Sequence, residues 1–116
     1  MDDPTNNVAS PWRPDTDLMH LALLGKLAEE ANELGAILAR CIIQGINERE
    51  PVTGKPNAVA LENEMGDVLA GIRLATSRLG LNESRIAERA AAKQVYLSGW
   101  HKQIDHMQFT DELDPL

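Results

Sequence analysis

The feature that most restricts this chain is the return of apolar side chains every three or four residues, in two long stretches separated by one block of turn-forming residues. From Leu18 to about Ile43, LMHLALLGKLAEEANELGAILARCII keeps that spacing, which only an α-helix gathers onto one face. Asp15, Thr16 or Asp17 can cap its start, because a short polar side chain accepts hydrogen bonds from the free N–H groups of a first turn. Its apolar stripe reads as Leu27, Ala31, Leu34, Leu38 and Cys41, extended by Leu23 and Leu24, and Gly45 ends it. The segment Gln44 to Asn57, QGINEREPVTGKPN, carries two Gly, two Pro and two Asn and reads as a loop.

A second helix is expected from about Asn57 to Leu79, with Leu61, Met65, Val68, Ile72, Ala75 and Leu79 on one face and Gly80 as its stop. Asn82 can cap a third, with Glu83 near its positive end, and LNESRIAERAAAKQVYLSGWHKQ carries it to about Trp100 or beyond. There is no strand candidate and no internal repeat. The expected fold is all-α: a helical bundle of three principal helices plus a short terminal helix, completed by association with another copy. Residues 1–14 read as a flexible arm, 15–104 as the helical domain and 105–116 as an acidic tail that frays.

Composition narrows the partners. At 116 residues a lone protomer buries only about two-thirds of its unfolded surface. With four aromatic residues among 43% hydrophobic ones, the core must be aliphatic. A net charge of −7 argues against nucleic acid, whose binding needs basic surfaces that release counterions. The N-terminal MDDPTNNVASPWRP reads as neither signal peptide nor membrane segment, no apolar run reaches the length of a span, and the lone Cys41 fits a reducing compartment. A soluble, cytoplasmic protein is expected. Gly54-Lys55 resembles the end of a phosphate-binding loop, but the upstream glycine and following Ser or Thr are missing.

Two short stretches resist an ordinary packing role: KLAEEANEL, with Glu29, Glu30 and Glu33, and LENEMGDVL, with Glu64 and Asp67. Successive helical residues turn by about 100°. Glu30 therefore falls about 60° from the centre of the first stripe, and Glu64 about 70° from that of the second. Glu33 and Asp67 follow one turn on, while Glu29 points nearer to solvent. A solvated charged face is the plain alternative, but such faces carry basic residues three or four positions away. Glu33, Glu64 and Asp67 have none, and only Lys26 can relieve Glu29 or Glu30. A half-buried carboxylate without compensation is costly unless a cation or a proton arrives. Two antiparallel helices would bring four such groups round one point. An all-oxygen set suits Mg2+, or Mn2+ in its place, rather than zinc or copper, since no His or Cys stands at ligand spacing. Magnesium is commonly shared with substrate phosphates.

EEANE (Glu29 to Glu33) followed by EMGD (Glu64 to Asp67) resembles the signature of the MazG-like, all-α nucleotide pyrophosphohydrolase superfamily. The resemblance extends through LLGKLAEEANELG, RCIIQGINEREPVTGKPN, LENEMGDVLAGI and RAAAKQVYLSGW, about Leu18 to Trp100, and is nearest to small single-domain phage and bacterial members. It implies magnesium-dependent hydrolysis of a nucleoside triphosphate, with dNTPs among the candidates, to monophosphate and pyrophosphate in a homo-dimer or homo-tetramer. Carried over by position, Glu30, Glu33, Glu64 and Asp67 become metal ligands, and Glu29 a ligand or a group that orients water. Glu29 and Glu33 are then the candidates to assist deprotonation of that water. The stretch between Glu33 and Glu64 is somewhat longer than is usual in the family, and the loop absorbs the excess.

Lys93 falls on the third helix's apolar stripe with Ile86, Ala90, Leu97 and Trp100. It reads either as a phosphate-binding ammonium, which the resemblance supports, or as a snorkelling side chain at the bundle edge. The family often follows that lysine with Asn and Arg, where this chain has Gln94, Trp100 and Lys102 nearby. Trp12, Trp100, Asn57 and Gln44 are candidates for contacts to a base, although a tryptophan more often serves as core or interface than as a stacking platform. The alternatives are a phosphoribosyl-ATP pyrophosphatase-like enzyme and a non-catalytic helical oligomer that binds a partner, with a structural ion or none.

Overall fold

The computed structural model describes residues 12–113, with side chains for residues 12–107. The chain folds there into α1 (Leu18–Gln44), α2 (Asn57–Arg78) and α3 (Glu83–Leu113). No strand occurs among the described residues, where Arg49 and Pro56 form an isolated bridge. Most of the expected flexible arm and the last three residues of the acidic tail lie outside the described residues.

Several helix ends have a local cause. Of the three candidate caps of α1 it is Asp17 that acts, its Oδ1 accepting from Met19 N–H at 2.9 Å and His20 N–H at 3.1 Å. Gly45 closes α1 at φ 103°, a left-handed conformation that suits glycine, and its N–H donates to Cys41 C=O. Gly80, at φ 66°, ends the turn after α2. Asn82 Oδ1 accepts from Arg85 N–H at 2.9 Å at the start of α3.

The chain divides into two compact units between Leu81 and Asn82. The first is a helical hairpin in which α1 packs along α2. Asn57 meets Gly45, Glu64 meets Glu30 and Gly71 meets Leu27, so the two helices run antiparallel. Between them, Glu50 folds the loop onto itself: its Oε2 accepts from the N–H groups of Val52 and Thr53, and its backbone N–H donates to Lys55 C=O. The second unit is α3 alone.

The packed stripe of α1 differs from the expected one. Leu23, Leu27, Glu30, Leu34, Ile37 and Cys41 are half-buried, whereas Leu24, Ala31 and Leu38 are exposed. The sequence offers two neighbouring apolar stripes one residue apart, and the packed one has Glu30 at its centre rather than at its edge. On α2 the packed positions are Asn57, Leu61, Glu64, Val68, Gly71, Ala75 and Leu79, and Met65 faces out. Gly71 permits close approach, because a Cβ there would stand 3.1 Å from Leu27 Cδ1, while Gly66 looks onto open space.

The terminal region is also corrected. In place of a separate short helix, α3 runs unbroken to Leu113, into the segment expected as an acidic tail. The positions Ile86, Ala90, Lys93, Leu97, Trp100, Ile104 and Met107 alternate steps of four and three residues, and this repeat carries the pattern past Trp100. Of the described α3 side chains only Ile104 is even half-buried. No helix is long and apolar enough to cross a membrane, among the described residues.

Candidate metal centre

The hairpin brings carboxylates of α1 and α2 together across its seam. Glu30, Glu33 and Glu64 each offer an oxygen within 4.8 Å of the others. In two of these residues one carboxylate oxygen, Glu30 Oε2 and Glu64 Oε1, is sealed from solvent and receives no hydrogen bond from any residue outside the pair. Glu64 as a residue is half-buried, and Glu33 stands exposed at the rim. Asp67, one turn beyond Glu64, is exposed and lies outside the three-oxygen group, although its charge reaches Glu64.

The electrostatics follow from this crowding. The Glu64 carboxyl is pushed up from 4.5 to about 7, first by its hydrogen bond with Glu30, then by burial, and then by the charges of Glu30, Glu33 and Asp67. Two ionised carboxylates only repel; a proton held by Glu64 turns the pair into donor and acceptor. Lys26 gives partial relief from outside, its Nζ lying 3.4 Å from Glu29 Oε2 and 3.4 Å from Glu30 Oε1. The two glutamates in turn raise the lysine, Glu29 through its charge most of all. Glu29 is exposed and engaged with this lysine rather than with the buried oxygens.

The donor set suits a hard cation. All three groups are carboxylates, two have buried oxygens with no donor from outside the cluster, and the whole set favours an added positive charge. No histidine joins it: His20 pairs with Asp15 at 2.8 Å near the start of α1, and His101 with Asp105 on α3.

The other candidates are placed differently. Asn57 is completely buried, its Nδ2 donating to Gly45 C=O at 2.9 Å and to Gln44 Oε1 at 3.4 Å, so it clamps the loop to the end of α1. The sequence reading missed that role; the signal was an Asn directly after a proline at a helix start, opposite a Gln-Gly helix end. Lys93 and Trp100 lie on α3, in the second unit, with Lys93 Nζ 4.8 Å from the centre of the Tyr96 ring. Trp100 and Trp12 are both exposed.

Comparisons with protein-family models, with curated proteins and with solved structures give no match for this chain.

Proposed function

We propose that the chain is a magnesium-dependent nucleoside triphosphate pyrophosphohydrolase, of the MazG-like kind that its acidic motifs resemble. The observation that carries the reading is the pair of buried oxygens with no donor from outside the cluster, Glu30 Oε2 and Glu64 Oε1, within an all-carboxylate group. Structural acids at a helix seam would be matched by basic partners or replaced by apolar ones, because burying an unpartnered charge is unfavourable. A dication-binding role gives them a reason to be there.

In this reading Glu30, Glu33 and Glu64 hold Mg2+, or Mn2+ in its place, with Asp67 as the fourth ligand. Bound there, the ion supplies neutralisation of triphosphate charge and acidification of a water for in-line attack at the α-phosphorus. The chain's residues do the rest. Glu33, exposed at the rim, accepts a proton from water, and Glu29, paired with Lys26, orients that water. Lys93 is the candidate phosphate ligand and Trp100 a candidate stacking surface. Asn57 serves the site through the loop it clamps. The reading also includes a homo-dimer or homo-tetramer in the cytoplasm.

The test is a hydrolysis assay over the common ribo- and deoxyribonucleoside triphosphates and phosphoribosyl-ATP, with Mg2+. Monophosphate and pyrophosphate in equal amounts, lost in Glu30→Gln and Glu64→Gln, support the reading; orthophosphate without pyrophosphate overturns it. The large exposed apolar surface favours a second reading, a non-catalytic oligomer with a structural ion. Thermal stabilisation by Mg2+ with no further shift from a non-hydrolysable triphosphate would favour it.

A further inference from the structure

A lysine stands at the rim of the acidic cluster. Lys26 Nζ lies 3.4 Å from Glu30 Oε1 and 3.4 Å from Glu29 Oε2. Among the described residues no other lysine or arginine pairs with Glu29, Glu30, Glu33, Glu64 or Asp67. Glu30 thus divides its oxygens: Oε1 meets the ammonium near the surface, while Oε2 is sealed from solvent.

Helical spacing sets Lys26 on the open side of the hairpin. With Glu30 taken as the inward direction of α1, Lys26, Glu33 and Glu29 turn to one flank by about 40°, 60° and 100°. On the antiparallel α2, Asp67 turns from Glu64 by about 60° to that same side of the pair. This edge is where the cluster meets solvent: the side chains of Lys26 and Glu29 are 63% and 55% exposed, that of Glu30 only 12%. A ligand approaching from solution meets this edge first, and Lys26 is its positive end. Arg40, the next cation along α1, is ten residues or about 15 Å past Glu30.

The pairing with Glu30 competes with the role proposed for that carboxylate. A magnesium ligand stands about 2.1 Å from its ion. With Lys26 Nζ 3.4 Å from one oxygen of Glu30, ammonium and dication would share a single carboxylate and repel one another. Lys26 can yield, because its charge ends a flexible four-carbon stem and carries three donors. It can leave Glu30 and still hold Glu29. The donor released at this edge then faces the anion that a triphosphate brings to it.

We propose that Lys26 changes partners in the working site: it gives up Glu30 when the dication binds and takes hold of the substrate's triphosphate, while keeping Glu29. The inference rests on the metal-dependent reading and adds to it a phosphate ligand carried by the hairpin itself. One residue then acts on two binding steps with opposite sign. Without Lys26 the dication no longer displaces an ammonium and binds more tightly, whereas the triphosphate loses a charge-assisted contact and binds more weakly.

Isothermal titration calorimetry with Mg2+ alone, and with inorganic triphosphate in saturating Mg2+, separates the two steps. Lys26→Met should bind Mg2+ about fivefold more tightly, the upper end of what an exposed ion pair is worth. It should bind triphosphate about tenfold more weakly, as loss of a hydrogen bond to a charged group implies. Lys26 is exposed, so the variant should keep the fold, which amide NMR spectra would verify. Arg40→Met removes the same charge farther along the edge and should change neither affinity by more than about twofold, because salt screens charges at that distance. Unchanged or weaker Mg2+ binding in Lys26→Met, undiminished triphosphate binding, or equal shifts in the two variants overturns the proposal and leaves the metal reading standing. A parent that takes up no Mg2+ overturns both.

Discussion

Gly71 sets how closely α1 and α2 approach, and substitutions there test whether that spacing creates the acidic pair. A methyl group at this position would stand 3.1 Å from Leu27 Cδ1, the end of a flexible side chain that can yield by a few tenths of an ångström. Gly71→Ala also gains about 1 kcal/mol of helix propensity. Its net effect should therefore be neutral to stabilising by up to about 1 kcal/mol. Gly71→Leu inserts a whole side chain into the seam and should cost about 1–3 kcal/mol through overpacking. It should also spread the helices at Glu64, two turns or about 10 Å away. The hydrogen bond with Glu30 is the largest cause of the raised Glu64 pKa, so that value should fall from about 7 back towards 4.5. Urea unfolding at fixed protein concentration measures the stabilities, and carbon-13 NMR titration of the Glu64 carboxyl measures the pKa. An alanine variant less stable than the parent by more than about 1 kcal/mol, or a leucine variant whose Glu64 titrates as before, would refute the reasoning.

Further consequences are open to measurement. Without divalent ions, the proton that folded Glu64 keeps up to about pH 7 leaves the unfolded chain near 4.5, so its contribution to stability is complete below pH 4.5 and is lost as pH rises to 7. Mg2+ should flatten that decline, and thermal melts across the range would show it. Glu64→Gln should melt above the parent at pH 8 in chelator, should match it at pH 4.5, and should no longer be stabilised by Mg2+. Asn57→Ala removes the bond to Gly45 from a fully buried position and should cost about 1–3 kcal/mol in urea unfolding, with faster amide exchange in residues 46–56.

The sequence made the helices legible because periodicity and capping are local properties. Asp17, Gly45, Gly80 and Asn82 act where their chemistry suggested. The acids were legible for the opposite reason, as departures from a pattern that leaves Glu64 without a basic neighbour. What could not be read was the choice between two adjacent stripes on α1. Leu24, Ala31 and Leu38 are as apolar as Leu23, Leu27 and Leu34, and burial of Glu30 depends on which set meets α2. That choice is made by packing, in which Leu27 lies against Gly71. The length of α3 was missed because the acidic, polar end of the chain masked a seven-residue repeat that continues through Ile104 and Met107. The buried role of Asn57 depends on a contact with Gly45, which joins the two ends of a loop and has no signature in either end alone.

The acids at the seam also fix alignment. Were α2 to slide by one turn, about 5.4 Å, towards the start of α1, Glu64 would leave Glu30 and face Leu27, with nowhere to lend its proton. Polar groups at a helix contact act in this way as a detent, lowering adhesion while admitting a single setting. Leucines in their place would grip harder and hold several settings equally well.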